Sequence, residues 1–330
     1  MRIGLCAWSF SGVHGSDGTG PDPHVPQNLA RIAVEHGLQG IECSPEPLRA
    51  SEPAELDRFI QFLSDNDLEI ILDTGGNPAE DVKPILHALE TAQRVGARVV
   101  RTTISTLLEG DRTAYGLVNW TEYLQSLVEP LKRLMSLAES RGIAVGIENH
   151  QDICSWELCW LCTQVGSPLL GATYDVGNAY AVGETPTGFA SRVMPYLKHV
   201  HIKDYVPHPT ASGYRLTRCA IGSGVVAWPE VLGMIAQEAP QVSACIELGA
   251  TTTRHIRLLE EDYWSTYPPR PAAETTAAIA QLQRSAKADD VDWRTPHERR
   301  ESPAVQIAYE MAQFEESVEY LKNQELIAGR

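Results

Sequence analysis

The chain has 330 residues, 43% of them hydrophobic and 21% charged, with a formal net charge of −16. That composition belongs to a globular protein, and the acidic balance repels polyanions such as DNA, so nucleic acid is excluded as an expected partner. No stretch approaches the roughly 20 apolar residues of a membrane span, the N-terminus has no signal-peptide layout, and seven scattered cysteines do not form a disulfide framework. A cytoplasmic setting without a membrane is expected.

Short apolar runs alternate with amphipathic segments from the first residues onward. The predicted strands are RIGLCAWSF (2–10), GIECS (40–44), EIILDTG (69–75), RVVRTTI (98–104), AVGIENH (144–150), LGATYDVG (170–177), LKHVHIKD (197–204) and SACIELG (243–249). Between them lie helix-length stretches such as LDRFIQFLSDN, VKPILHALETAQRVG and YLQSLVEPLKRLMSLAESRG, the last with apolar residues at three- and four-residue spacing. Gly96, Gly142 and Gly166 follow helices where a left-handed C-cap is expected. Alternating strands and helices imply a parallel sheet, and eight units predict an α/β fold, a (β/α)8 TIM barrel, over residues 1–270. A doubly wound open sheet is the alternative, weakened because no G-x-G-x-x-G turn follows the first strand.

Beyond residue 270 no barrel strand remains. RPAAETTAAIAQLQRSAKA predicts a helix, KADDVDWRTPHERRESP a polar connection, and AVQIAYEMAQFEESVEYLKNQEL a longer helix. Residues 271–330 are therefore read as a C-terminal helical extension, packed outside the barrel or against another chain. Assembly through it, with a second copy or a small partner subunit, is the expectation.

In such a barrel the active site lies at the C-terminal ends of the strands. Four consecutive strands end in ionisable residues: Glu148 and His150, then Asp175, then His199 and His201, then Glu247. Alternation along a strand places Glu148 with His150, and His199 with His201 and Lys203. Carboxylates converging on one mouth require a cation among them. Carboxylate oxygen with imidazole suits Mn²⁺, the ion expected here, with Mg²⁺, Co²⁺ or Zn²⁺ as alternatives. Each residue alone also fits a hydrogen-bonded polar group near the surface.

The segments IENH, YDVGN, HVHIKD and CIELG resemble the sugar phosphate isomerase/epimerase family, the xylose isomerase-like barrels, over about residues 1–250. The resemblance implies a metal held by Glu148, Asp175, His201 and Glu247, with His199 one pleat deeper. Asn178 and Lys203 are candidates for orienting ligands or substrate. It also implies a hydroxy-carbonyl sugar substrate, a metal-stabilised enediolate, and Glu148 and Glu247 sharing the proton transfers. His150 is an additional candidate base, or else a substrate-contacting histidine.

ENHQD, GYRLTRCAIGSGVV and the tail after residue 250 further resemble a subset that cleaves 3-oxo-glycosides, including C-glycosides, with a small partner subunit. The expected activity is therefore a metal-dependent lyase acting by elimination, with a sugar isomerase or epimerase as alternative.

Other signals carry less. Cys159 and Cys162 form a C-x-x-C inside a helix without a second pair, a structural reading. Gly222, Ser223 and Gly224 lack the strand and Lys of a phosphate loop and are expected to turn the chain toward a helix at Trp228 and Pro229. Trp8 is a candidate for stacking on a sugar, while Arg215 and Arg218 are expected as solvent-facing loop residues unless they reach substrate. Two other classes compete: an endonuclease IV-like repair enzyme, which would need a histidine where this chain has Asp73, and a non-catalytic sugar-binding or scaffold subunit.

Overall fold

A computed structural model describes residues 1–15, 20–288 and 292–327. Eight parallel strands close into a barrel: β1 (Ile3–Cys6), β2 (Gly40–Cys43), β3 (Glu69–Asp73), β4 (Val99–Thr102), β5 (Ala144–Glu148), β6 (Leu170–Asp175), β7 (Leu197–Ile202) and β10 (Ala244–Ile246). The spatial order β1-β10-β7-β6-β5-β4-β3-β2 follows the chain except for an excursion after β7. The expected closed barrel is the observed fold.

The helices are α1 (Pro26–Glu35), α2 (Glu46–Ala50), α3 (Pro53–Asp65), α4 (Lys83–Val95), α5 (Gly116–Arg141), α6 (Ser155–Val165), α7 (Pro186–Val193), α8 (Trp228–Glu238), α9 (Glu261–Trp264), α10 (Ala272–Ser285) and α11 (Pro303–Asn323). Gly96, Gly142 and Gly166 end α4, α5 and α6 with φ of 78°, 65° and 75°, the left-handed caps expected of them. Pro229 lies in the first turn of α8.

The regular strands stop earlier than the apolar runs suggest. After Cys6 the chain turns into a 3-10 segment, Ala7–Ser9, so Trp8 leaves the strand direction. Ser9 carries the closure of the barrel further: its Oγ donates to Ile246 O (2.8 Å) and accepts from Leu248 N (3.2 Å). β5 stops at Glu148 because the Asn149 side chain takes over the pairing. Its Nδ2 donates to Asp175 O (2.9 Å), and its Oδ1 accepts from Asp175 N (2.7 Å). Gln151 then adopts φ +73°, which bends the chain off the barrel.

The excursion after β7 corrects the loop expected there. It forms a separate antiparallel sheet of β8 (Asp204–Pro209), β9 (Tyr214–Cys219) and β11 (Thr253–Ile256), in the order β11-β9-β8. Arg215 and Arg218 therefore lie on a strand, and Arg218 is only 8% exposed. Asp204 anchors the return toward α8. Its carboxylate accepts from the amides of Tyr205, Gly222, Gly224 and Val226 and from the Trp228 indole, at 2.8 to 3.2 Å. The Gly222–Gly224 turn thus cradles a protein carboxylate where a phosphate loop would cradle a ligand.

α10 and α11 form as expected, and part of the connection between them, residues 289–291, lies outside the described residues. α11 packs on the barrel of its own chain. Phe314 is buried, in edge contact with Phe10 (5.6 Å) and His36 (4.8 Å). Buried Glu310 accepts from Ser11 N (3.0 Å) and from His14 Nε2 (2.7 Å). No helix among the described residues is long and apolar enough to cross a membrane. All seven cysteines are free, and Cys159 donates to Arg192 O (3.3 Å), in line with a structural C-x-x-C.

Because Phe314 fills a fully enclosed site, Phe314→Ala should destabilise the chain by about 3–5 kcal/mol, from lost transfer energy plus a cavity. Urea denaturation followed by tryptophan fluorescence measures it. A loss below about 1 kcal/mol would show that α11 does not hold to the barrel in solution.

Candidate metal centre and its cavity

The barrel register assembles the site. Asp175 pairs in register with His201 across β6 and β7, Cys6 with Glu42 across β1 and β2, and Asp73 with Arg101 across β3 and β4. Glu247 follows β10 directly, its amide donating to Ile202 O of β7 (3.1 Å). Glu148 closes β5. Glu148, Asp175, His201 and Glu247 consequently converge, each offering one donor atom within 4.8 Å of the other three, and all four are buried.

What each donor already binds decides whether the group can hold an ion. His201 Nε2 lies 2.9 Å from both oxygens of Glu42. A carboxylate only accepts, so the proton sits on Nε2 and the lone pair belongs to Nδ1. Nδ1 is buried without a hydrogen-bond partner and faces Glu247 Oε2 at 3.1 Å. Asp175 Oδ2 accepts from Lys203 Nζ (2.5 Å) and Asn178 Nδ2 (2.6 Å), leaving Oδ1 buried and unpartnered. Glu148 Oε2 and Glu247 Oε2 are likewise buried outside hydrogen-bond geometry, although Arg101 contacts the first and Lys203 lies 2.6 Å from the second. Three carboxylates and an imidazole converging this way fit a divalent cation, which would replace the Nδ1 proton that His201 carries when charged and the contacts of Arg101 and Lys203. The Glu42–His201 bond is the orienting contact that a metal-bound histidine requires.

Electrostatics point the same way. Five buried carboxylates, Glu42, Asp73, Glu148, Asp175 and Glu247, outnumber the cations touching them, Arg101, Lys203 and His201. Burial alone would lower the His201 pKa, but the charges of Glu42 and Glu247 outweigh it and raise it to about 10. Burial likewise opposes ionisation of Glu247, yet Lys203 and His201 pull its pKa well below the usual carboxylate range. For Asp175 burial wins over Lys203, and its pKa is raised. A metal ion held here would have to displace the His201 proton.

His199 sits where the sequence places it, one pleat deeper. Its Nε2 donates to Glu42 Oε2 (3.0 Å), so both histidines of β7 hang on one carboxylate. Glu42 is the residue the sequence reading missed. The available signal was a lone carboxylate inside the apolar run GIECS, which a buried strand tolerates only when paired. Asn178 does orient a donor, and its Oδ1 accepts from Tyr205 OH (3.0 Å) and Gln151 Nε2 (3.1 Å). Asp152 is buried against Ser105 (2.5 Å), with its pKa pushed up to about 6 by burial.

Beside the donors opens a cavity of about 760 Å³, lined among others by Trp8, Asp73, Arg101, His150, Arg218 and Glu247. Trp8 is 52% exposed over it, with its indole N–H held by Asp73. His150 lies beyond the end of β5, so strand alternation does not place it. It nevertheless reaches the cavity, with Nδ1 buried and unpartnered. Burial, then the charges of Arg101 and Lys203, lowers its pKa well below the ordinary value, which keeps the imidazole neutral.

A closed parallel barrel with acidic and histidine donors at its mouth defines the class. Residues 30–281 match the xylose isomerase-like TIM barrel family, and the chain belongs to it. Its relatives include the uncharacterized protein YihM of Escherichia coli, 25% identical over 67% of this chain and 66% of that one, just under two thirds of YihM. Another is 3-oxo-isoapionate decarboxylase of Pectobacterium atrosepticum, 21% identical over 81% of this chain and 93% of that one. Among solved structures, a probable 3-DHS dehydratase from Bacillus anthracis superposes with a TM-score of 0.58 at 17% identity, over 86% of this chain and 98% of that one. The Escherichia coli 3-keto-D-glucoside 4-epimerase gives 0.57 at 15% identity, over 86% and 99%. At these identities the structures attest the fold.

Protein purified without chelator should carry one divalent ion per chain, and Asp175→Ala and His201→Ala should lose it. Glu42→Gln should weaken metal affinity by about 10- to 100-fold, because the imidazole loses its orienting carboxylate. Elemental analysis and competition with a metallochromic indicator measure both. Equal metal content in all variants would remove the centre from these residues.

Proposed function

We propose that the chain is a divalent-metal-dependent enzyme acting on a keto-sugar or 3-oxo-glycoside by removing the proton alpha to the ketone. The observation that carries this reading is the convergence of three buried carboxylates and one imidazole, each with an atom within 4.8 Å of the others, beside a polar cavity. The named relatives support the substrate class. In a 4-epimerase of a 3-keto-glucoside and a decarboxylase of a 3-oxo acid, the bond that changes lies close to a ketone.

Glu148, Asp175, His201 and Glu247 would hold the ion. Bound there, it would polarise the substrate carbonyl and stabilise the enediolate. Glu42 fixes the His201 ring, and Asn178 and Lys203 fix the Asp175 carboxylate. Trp8 offers an apolar face to a sugar ring. His150, a neutral imidazole with a free ring nitrogen in the cavity, is assigned the proton at C2, with Glu148 and Glu247 as the other proton-transfer groups. When C1 carries a leaving group, the electrons of the C2–H bond form the C1–C2 double bond as the C1 bond breaks. The proton then leaves with the aglycone. We favour this elimination. A free ketose would instead receive a proton back and be epimerised or isomerised. Assembly with a second copy or a partner subunit is a separate proposal, tested by the size of the full chain beside one ending near residue 270.

The test incubates metal-loaded protein in D₂O with ketoses and 3-oxo-glycosides. Released aglycone supports elimination. Deuterium beside the ketone in an intact sugar supports epimerisation. Neither across the panel, with metal confirmed, overturns the enzyme reading in favour of a binding subunit. His150→Gln should keep its metal and lose about 10²-fold or more in rate. Near-normal turnover would transfer the base role to Glu148 or Glu247.

A further inference from the structure

Next to Glu247, the cavity also has a cationic wall. Arg218 of β9 and Arg254 of β11 both line it. β9 and β11 are antiparallel, with Arg254 in register with Leu216, so Arg218 is the diagonal neighbour of Arg254 on the same face. Long side chains on diagonal positions reach one another, so the two guanidinium charges repel, and an anion between them relieves that repulsion.

Burial opposes the charge of Arg218, and the Tyr205 hydroxyl with the carboxylates of Glu247 and Asp175 offsets that from beyond ion-pair distance. Neither guanidinium forms an ion pair with a carboxylate among the described residues. Arg218 Nη1 donates only weakly, to Leu248 O at 3.4 Å, and Arg254 Nη1 donates to Thr253 O at 3.1 Å. The Nε atom of each is buried without a partner. The other arginines of this region are matched: Arg215 is paired with Glu298, and Arg101 with Asp73 and Glu148. Burial followed by the charge of Arg218 lowers the Arg254 pKa, the mark of two cations held together.

The backbone is shaped around this arrangement. Gly249 has φ +51°, and a Cβ there would lie 1.7 Å from Arg218 Nη1, so the turn after β10 leaves room for the guanidinium. Holding a desolvated like-charge pair in a cleft is unfavourable in the empty protein and favourable once an anion enters.

We infer that Arg218 and Arg254 form a subsite for an anionic group of the substrate, a carboxylate or phosphate carried by the keto-sugar. This rests on the cavity being the sugar site and narrows the substrate class to an acidic keto-sugar derivative. The anion would lie beside the Glu247 end of the donor set, fixing one end of the substrate in the cavity.

Equilibrium binding tests the subsite without turnover. Calorimetric titration of the metal-loaded protein compares D-gluconate and glucose 6-phosphate with neutral sorbitol, in wild type, Arg254→Gln and Arg254→Lys. Binding of at least one anion should exceed that of sorbitol and fall by about 10-fold or more in Arg254→Gln, the loss expected for a charge-assisted contact. Arg254→Lys should restore part of it. Preference for gluconate identifies a carboxylate, and preference for the phosphate ester identifies a phosphate. Anion binding no tighter than sorbitol, or unchanged in Arg254→Gln, overturns the subsite. The enolisation reading is judged separately, by metal content and exchange in D₂O.

Discussion

Burying five carboxylates in one barrel mouth is the constraint on which this structure depends. Removing ionised groups from water is costly unless each is paired, and an unpaired one changes its protonation instead. The polar contacts at the mouth answer that cost. Arg101 joins Asp73 to Glu148, Lys203 joins Asp175 to Glu247, and Glu42 takes a proton donor from each of His199 and His201. Two of those cations sit on the atoms nearest the centre: Arg101 contacts Glu148 Oε2 and Lys203 lies 2.6 Å from Glu247 Oε2, while Asp175 Oδ1 is left unpartnered. Positioning and coordination capacity thus reside in the same residues. A divalent cation bound there would take over the contacts that Arg101 and Lys203 now make.

The cavity beside them divides by charge. Its acidic side grows from the barrel strands, where register alone sets spacing. Its basic side comes from the small sheet of β8, β9 and β11, which is inserted between β7 and β10 and around the last barrel strand. The Asp204 carboxylate holds that insertion by collecting amides from the turn that leads back to α8. The proposed metal donors and the arginine pair therefore come from different sheets of the same chain.

This division also explains what could be read from the sequence. The choice of four donors among the ionisable strand ends came from the family resemblance, whereas the eight strands and those ends were legible because strand period and strand-end position are local signals. The roles of Glu42 and Arg101 were not, because each depends on a partner across the barrel: Glu42 lies within hydrogen-bond reach of His199, 157 positions away in the chain. Arg218 was read as a loop residue since β9 and β11 are short and pair with each other only after the chain has passed through α8 and β10. His150 reached the cavity although the argument from strand alternation fails, because the strand ends at Glu148 and Asn149 replaces its pairing. The sequence of C-terminal helices was plain from their period, while the surface they cover was not.

That surface has a bearing on how the molecule may be divided. The family match ends at residue 281, well before α11. Yet Glu310 of α11 holds the amide of Ser11 and the hydroxyl of Thr251, two residues of the cavity rim on the loops after β1 and β10. A chain ending at residue 281 would retain each proposed metal donor and both arginines, and still lose the clasp between those loops. The cavity thus depends on residues beyond the matched span: its rim is braced by a helix that begins at Pro303, past the end of that span.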